Sequence, residues 1–309
     1  MRAEAHLEVY RRFQGKLEEH RWRAWPIFDS GLRVALKQRK AMLFLFAPIV
    51  IATIVFSVVV YAKFVVDGLQ DDGPMGADAA TSLESMAMQA VIQAQLGRLL
   101  EVVTWMIEFV KAMGFAATLL VAWFGSGLLC EDKKAGAHQL YFARPITRLD
   151  YFLGKFAIAS FFSLCAILLP LLVISAVATF SSPEWSFLKQ EWDLIPRAIL
   201  YALVWTTTIV SLVLLASSLA PRRSFAMIGV FAVVLLSEAA SGLLGNLIDP
   251  AFFALGIVND LNALCYHIFD KPVIGPDIPA GLAWTSVGLT VGTSWLVIAA
   301  RIRRMEVVA

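Results

Sequence analysis

The stretch CEDKKAGAHQLYFARPITRLDYFLGK, residues 130–155, decides how the rest of the chain is read. An uncharged apolar run, Ala112–Leu129, precedes it, and a second, Phe156–Phe180, follows it. The stretch itself holds five basic residues (Lys133, Lys134, Arg144, Arg148, Lys155) and three acidic ones (Glu131, Asp132, Asp150). A charged turn between two runs long enough to cross a hydrocarbon core must lie in water, and its lysines and arginines favour the cytoplasmic side. Glu131 to Tyr141 contains no proline and one glycine, which predicts a short helix. Pro145 lacks an amide hydrogen and biases Arg144 away from helical angles, so the helix is expected to end there. Thr147 followed by Asp150 is a capping box and predicts a second helix running into the membrane. Lys155 is then one turn inside, with a stem long enough to return its ammonium to the headgroups.

Working outward, composition supports the same reading. A hydrophobic fraction of 59% with 16% charged residues excludes an ordinary soluble chain, and a net charge of +2 gives no reason to expect nucleic acid as a partner. Cys130, Cys165 and Cys265 stand apart, without metal-ligand or paired spacing, and His6, His20, His138 and His267 show no ligand spacing either. The Gly-Lys pairs Gly15-Lys16-Leu17 and Gly154-Lys155-Phe156 do not fit a phosphate-binding loop ending in Gly-Lys-Ser/Thr. No catalytic elbow or zinc-protease motif occurs. The chain is therefore expected to bind no cofactor of its own, and any ATP-driven work would need a separate ATPase.

The expected fold is all-α and polytopic: six transmembrane helices with both termini cytoplasmic. Residues 1–40 form a cytoplasmic segment with ten basic and five acidic residues. Within it, Phe28, Leu32 and Leu36 recur every four residues beside a basic stripe of Arg33, Lys37 and Lys40, the pattern of an amphipathic helix lying on a membrane surface. The six-helix domain covers 41–300, with spans at about 41–61, 104–129, 156–180, 198–220, 225–248 and 280–300. Asp67, Asp71, Asp72, Asp78 and Glu84 mark an outer loop, and Thr81 with Glu84 forms a capping box from which a helix could run to Leu129. Pro170 is a candidate kink. Trp185 and Trp192, in the outer loop after the third span, are placed as interface anchors. Residues 249–279 are too short and too polar for a span and are expected to form short helices dipping into the outer face. A basic tail, 301–309, ends the chain. Every segment assigned to the cytoplasm carries lysine or arginine, down to the turn Pro221-Arg222-Arg223-Ser224, while the outer segments are mostly acidic. This charge asymmetry orients the whole chain in a cytoplasmic membrane.

Residues Glu131, Gly136, Leu140, Arg144, Pro145, Arg148, Tyr151, Leu153, Gly154 and Lys155 follow a recognisable order: an acidic patch, a glycine, leucine-aromatic, Arg-Pro-Ile-Thr-Arg, an aromatic, and Leu-Gly-Lys. The segment resembles the cytoplasmic loop between the second and third spans of ABC-2 type transporter permeases. Where that family usually shows Gly-Thr-Leu, this chain has Gly136-Ala137-His138-Gln139-Leu140. The resemblance implies a type V exporter-like architecture in which loop 130–155 holds a coupling helix that docks on an ATP-hydrolysing subunit. Carried over onto this sequence, the coupling residues are Glu131, Asp132, Lys133, Gly136, Leu140, Tyr141, Arg144, Pro145 and Arg148. The interfacial helix of Phe28, Leu32, Arg33, Leu36 and Lys37 matches the segment that leads into the first span in such permeases. Also implied are two permease copies (a homodimer or a pair with a close paralogue), two ABC ATPase subunits holding ATP and Mg, and export as the direction.

Ionisable residues at membrane depth admit two readings. Glu238 in the fifth span, with Ser237 and Ser241 nearby, either lines a substrate route or is a hydrogen-bonded helix-packing residue, because a lone carboxylate at bilayer centre costs about 2.5–3.5 kcal/mol. Glu101, Glu108 and Lys111 are placed at or above the outer interface, where they need no special role. Gly288 and Gly292 form a small-residue face suited to close helix packing. Other functional classes are a membrane component serving assembly of an envelope structure or cofactor site, and a secondary transporter; the halves show no internal repeat of the kind the latter would need.

Overall fold

The computed structural model describes residues 24–71, 102–136, 147–182 and 185–303. These residues form helices α1 (Trp25–Leu36), α2 (Arg39–Asp71), α3 (Val102–Gly125), α4 (Gly127–Ala135), α5 (Arg148–Ser181), α6 (Ser186–Gln190), α7 (Leu194–Leu219), α8 (Arg223–Leu247), α9 (Ile257–Phe269) and α10 (Ala280–Arg303), with a 3-10 turn at Pro250–Leu255 between α8 and α9. Six segments are long and apolar enough to cross a membrane: Arg39–Val65, Val102–Ala135, Arg148–Ser181, Leu194–Leu219, Arg223–Leu247 and Ala280–Arg303. Thr81, Glu84 and Glu101 lie outside the described residues.

Three of the six make the core. Within their apolar stretches 72% of Val102–Ala135, 67% of Leu194–Leu219 and 50% of Arg148–Ser181 is buried, against 17%, 11% and 22% for the segments in α2, α8 and α10. Because lipid is as apolar as leucine, such a core is held by close packing and by polar contacts between helices. Trp205 of α7 shows both. Its ring lies so close to Gly114 of α3 that a Cβ there would come within 2.8 Å of it, and its indole N–H donates to Thr118 Oγ1 at 3.3 Å. Ser163 of α5 and Thr206 of α7 share a hydrogen bond of 2.7 Å, and Phe124 of α3 stacks on Phe162 of α5 at 4.7 Å between ring centres. The peripheral helices turn bulky apolar residues outward, among them Phe44 on α2, Leu235 and Leu243 on α8, and Leu289 on α10.

Helix α1 lies across the start of α5, where Gly154 lets it approach: a Cβ on Gly154 would meet Ile27 at 2.8 Å and the Ala24 carbonyl at 3.1 Å. Its buried side is centred on Ile27 and Ala35, with Phe28 and Leu32 half-covered against the core, whereas Leu36 is 45% exposed and falls off that face. Arg33 reaches back to Asp29 at 2.8 Å on the exposed side, and Lys37 caps the helix end.

The joint after α3 departs from the sequence expectation. A short helix was expected to run Glu131–Tyr141 and stop before Pro145; α4 instead begins at Gly127 and closes at Gly136. Gly136 takes a left-handed conformation (φ 67°, ψ 10°) and returns its N–H to the carbonyls of Asp132 and Lys133. That is the glycine-terminated end a helix reaches as soon as a residue without a Cβ is available. Residues 137–146, with Leu140, Tyr141, Arg144 and Pro145, lie outside the described residues. The second helix does start at Thr147: its hydroxyl accepts the Asp150 N–H at 3.1 Å while the Asp150 carboxylate accepts the Thr147 N–H at 3.0 Å.

Candidate functional site

The α4 end of the bundle is built around a bend in a helix. Between α3 and α4 the chain turns at Ser126, which keeps helical angles (φ −62°, ψ −26°), and backbone groups around such a bend gain from side-chain partners. Ser217, near the end of α7, supplies them: its hydroxyl donates to the Ser126 carbonyl at 2.7 Å and accepts the N–H groups of Leu129 and Cys130 at 3.1 and 3.2 Å. Arg223, opening α8, lays its guanidinium 4.9 Å over the Trp123 ring and donates to the Trp123 carbonyl. The exit angle of α4 is thereby set by α7 and α8, two helices far away in sequence.

One turn later α4 is tied to α5. The Asp132 carboxylate meets the Lys155 ammonium at 2.7 Å and accepts the Tyr151 hydroxyl at 2.9 Å. The side chains of Lys155 and Asp132 are only 8% and 18% exposed, so the pair is shielded from solvent. Lys155 therefore does not extend toward headgroups as its position in the sequence had led us to expect. A carboxylate brought in from α4 neutralises it where it stands, and the pairing replaces the solvation that a long stem would otherwise seek. Asp132 accordingly faces inward, whereas Glu131, Lys133 and Lys134 are exposed on the opposite side of the same short helix. Arg148 stands exposed at the first turn of α5.

At the other end, α8, the 3-10 turn and α9 form a second joint. Glu238 precedes the end of α8 by nine residues, about 14 Å along the axis. Its carboxylate nonetheless accepts the N–H groups of Val258 and Asn259, at 2.7 and 3.4 Å, in the first turn of α9. The chain therefore doubles back alongside α8 by about that distance before α9 starts. The first amides of a helix have no partner within it, and in an apolar surrounding each would be costly. Glu238 supplies their acceptor and places its charge at the positive end of the helix. Ser241 completes the contact, donating to the Phe253 carbonyl at 2.9 Å and accepting from the Asn259 amide at 2.9 Å. Gly256 makes the approach feasible, since a Cβ there would lie 2.8 Å from Ser241 Oγ and 2.9 Å from Glu238 Oε2. Ser237 does not join this group; its hydroxyl turns back to the Val234 carbonyl at 2.8 Å.

Two neighbours of this joint were not singled out in the sequence. Asp260, in the first turn of α9 and outside the six spans, is 1% exposed, and its Oδ1 has no hydrogen-bond partner. Burial raises its pKa to about 7; the Ser286 hydroxyl pulls it down in part and the Glu238 carboxylate pushes it further up. Tyr266, two turns along α9, joins the pair assigned no special role: Lys111 of α3 reaches Glu108 at 2.9 Å and the Tyr266 hydroxyl at 2.9 Å, and that hydroxyl donates to Glu108. Glu108 and Lys111 thus fasten α9 to the core helix α3. An i,i+3 spacing revealed their mutual pairing, but no local pattern could reveal a tyrosine 155 residues away. No cluster of three or more metal-ligating side chains occurs among the described residues.

A family model described as ABC-2 family transporter protein matches residues 25–267, from the first residue of α1 to near the end of α9. The chain belongs to the ABC-2 transporter family. This ABC-2 protein is thus an all-α, multi-pass membrane protein with the role of a transporter permease, and α1, the α4 joint and the α8–α9 joint all fall within the matched region. Members of the family normally work in the bilayer with an ABC ATPase. No curated protein matches the chain.

Proposed function

We propose that this ABC-2 protein is the permease subunit of an ATP-driven exporter of the cytoplasmic membrane, energised by a separate ABC ATPase that docks on the α4 end. The observation that carries the proposal is the two-sided character of α4. One side is locked into the bundle through Asp132–Lys155, Tyr151 and Ser217, and the other presents Glu131, Lys133 and Lys134 to water. A short helix gripped in this manner can pass a push from a docked partner into α5 and α7 without absorbing it in its own bending. The lysine- and arginine-rich connections support a cytoplasmic position for this end and for both termini.

The complete assembly, on this reading, holds two permease copies, alike or closely related, and two ATPases. ATP and Mg bind to the ATPase partners, and this chain binds no cofactor of its own. Closure of the ATPase pair on nucleotide would press on the α4–α5 joint and tilt the core spans as rigid bodies between two states. Substrate would then leave through the α9 end.

Affinity co-purification from mild detergent tests this directly. Wild type should recover a Walker-motif ATPase, and the charge reversal Glu131→Arg with Arg144→Glu should lose it while the permease remains monodisperse and helical. A folded wild-type protein that recovers no such ATPase under conditions preserving membrane complexes would overturn the proposal.

A further inference from the structure

Helices α5 and α10 both pack on α7 but part from each other at the α4 end of the bundle, leaving an apolar groove of about 560 Å³. Its walls come from Leu149 and Phe152 of α5 and from Leu296 and Ile302 of α10. Its inner end is stopped by Trp295, whose ring meets those of Phe152 and Phe156 at 5.6 and 5.9 Å and whose N–H is fixed on Ser211 Oγ at 2.7 Å. From Gly292 to Arg303 the groove follows α10 for about 16 Å, roughly half of a ~30 Å hydrocarbon core and so the depth of one leaflet. At its mouth stand two guanidinium groups, Arg148 and Arg303, one from each wall. Neither has a carboxylate partner among the described residues.

We infer that this groove is a binding site for one anionic phospholipid of the leaflet at the α4 end, with an acyl chain between α5 and α10 and the phosphate held by Arg148 and Arg303. Charge complementarity selects this occupant. An apolar slot of single-leaflet depth suits any lipid, but two guanidinium groups at its mouth, without a carboxylate partner among the described residues, favour a phosphate carrying net negative charge, and guanidinium meets phosphate oxygens with paired, directional hydrogen bonds. A lipid seated there would wedge the start of α5, the helix that carries Lys155, against α10. The inference concerns the permease alone and stands or falls independently of any ATPase.

Native mass spectrometry of the purified full chain tests it, using delipidated protein offered equimolar phosphatidylglycerol and phosphatidylcholine with matched acyl chains. Wild type should retain one phosphatidylglycerol in preference to phosphatidylcholine. Replacing both arginines, Arg148→Gln with Arg303→Gln, should reduce that preference on the order of 30-fold, from about one kcal/mol per basic residue. Gly292→Leu offers a second arm: a Cβ at Gly292 meets nothing within 4 Å, so the larger side chain fills the groove without a backbone clash. It should lower retention of both lipids while size-exclusion behaviour stays that of wild type. Equal retention of the two lipids by wild type, or undiminished phosphatidylglycerol in either variant, would overturn the proposal. So would a disulfide between two copies carrying Leu296→Cys in vesicles, which would assign the groove to a permease–permease contact.

Discussion

Each end of the bundle hangs a short helix from a long one and secures it with a carboxylate, but the two joints are built in opposite senses. At the α4 end the carboxylate rides on the short helix, and Asp132 finds a full counter-charge in Lys155, a hydroxyl in Tyr151 and a packed surround. At the α9 end the carboxylate belongs to the span. Among the described residues Glu238 meets only peptide N–H groups, with Asp260, a second acid, buried nearby. A neutralised, shielded pair resists separation because either charge left alone in the interior is costly. A carboxylate set against amide dipoles is held less strongly, and an acid neighbour makes the contact depend on protonation. The α4 joint therefore behaves as a strut and the α9 joint as a catch. Such a division suits the proposed permease, which would receive a push at one end and open at the other.

Asp132→Ala should break the contrast most severely, since it removes the carboxylate that faces the buried Lys155 ammonium. A loss of about 3–5 kcal/mol is expected, visible as a large fall in thermal midpoint in detergent. Replacing both residues with apolar ones of similar size, Asp132→Leu with Lys155→Met, should recover most of it. If the single and double variants fall equally, the pair is not the strut described here.

Protonation sharpens the other side of the comparison. Asp260 titrates near 7 in the folded protein, well above its usual 3.8. Below about 4 both folded and unfolded forms hold the proton and the group has no differential effect. Between about 4 and 7 the unfolded form releases it first, so stability declines as pH rises, by up to an order of 4 kcal/mol, and levels off above 7. Asp260→Asn should flatten that slope and raise the thermal midpoint at neutral pH. A wild-type midpoint that does not fall between pH 4.5 and 7.5 relative to Asp260→Asn would count against this assignment.

A smaller effect, about 1–3 kcal/mol, is expected of Glu238→Ala, which leaves the first amides of α9 without an acceptor. Cys265, in the middle of α9 and fully buried, provides a local reading. Its alkylation by a membrane-permeant maleimide should quicken in the variant as α9 loosens, while Cys130 at the opposite joint keeps its wild-type rate. Equal acceleration at both cysteines would mean general destabilisation, not release of one catch.

Much of this organisation could be read along the chain. Spans announce themselves because lipid demands about 20 apolar residues in a row, and the start of α5 was legible because a capping box is complete within the four residues from Thr147 to Asp150. The end of α4 differs from the one Pro145 suggests because Gly136 closes the helix well before the proline. The setting of Lys155 is hidden for a different reason: Asp132 lies 23 positions earlier, beyond any helical spacing, and only the return of α5 alongside α4 brings them together.

By itself, then, the sequence determined the helical class, the six apolar segments, the charged connection at 130–155 and the presence of a carboxylate in the fifth span, since each is set by local composition or by residues within a turn of one another. The tertiary structure alone decided which three helices form the core, that Asp132 faces inward while Glu131 faces out, that Glu238 serves the amides of a helix doubling back beside it, and that Arg148 and Arg303 share one groove. Each of those facts is a meeting of residues far apart in the chain. Such meetings are set by how helices pack, with Gly114 under Trp205 and Gly154 under Ile27, rather than by the pattern within any one of them.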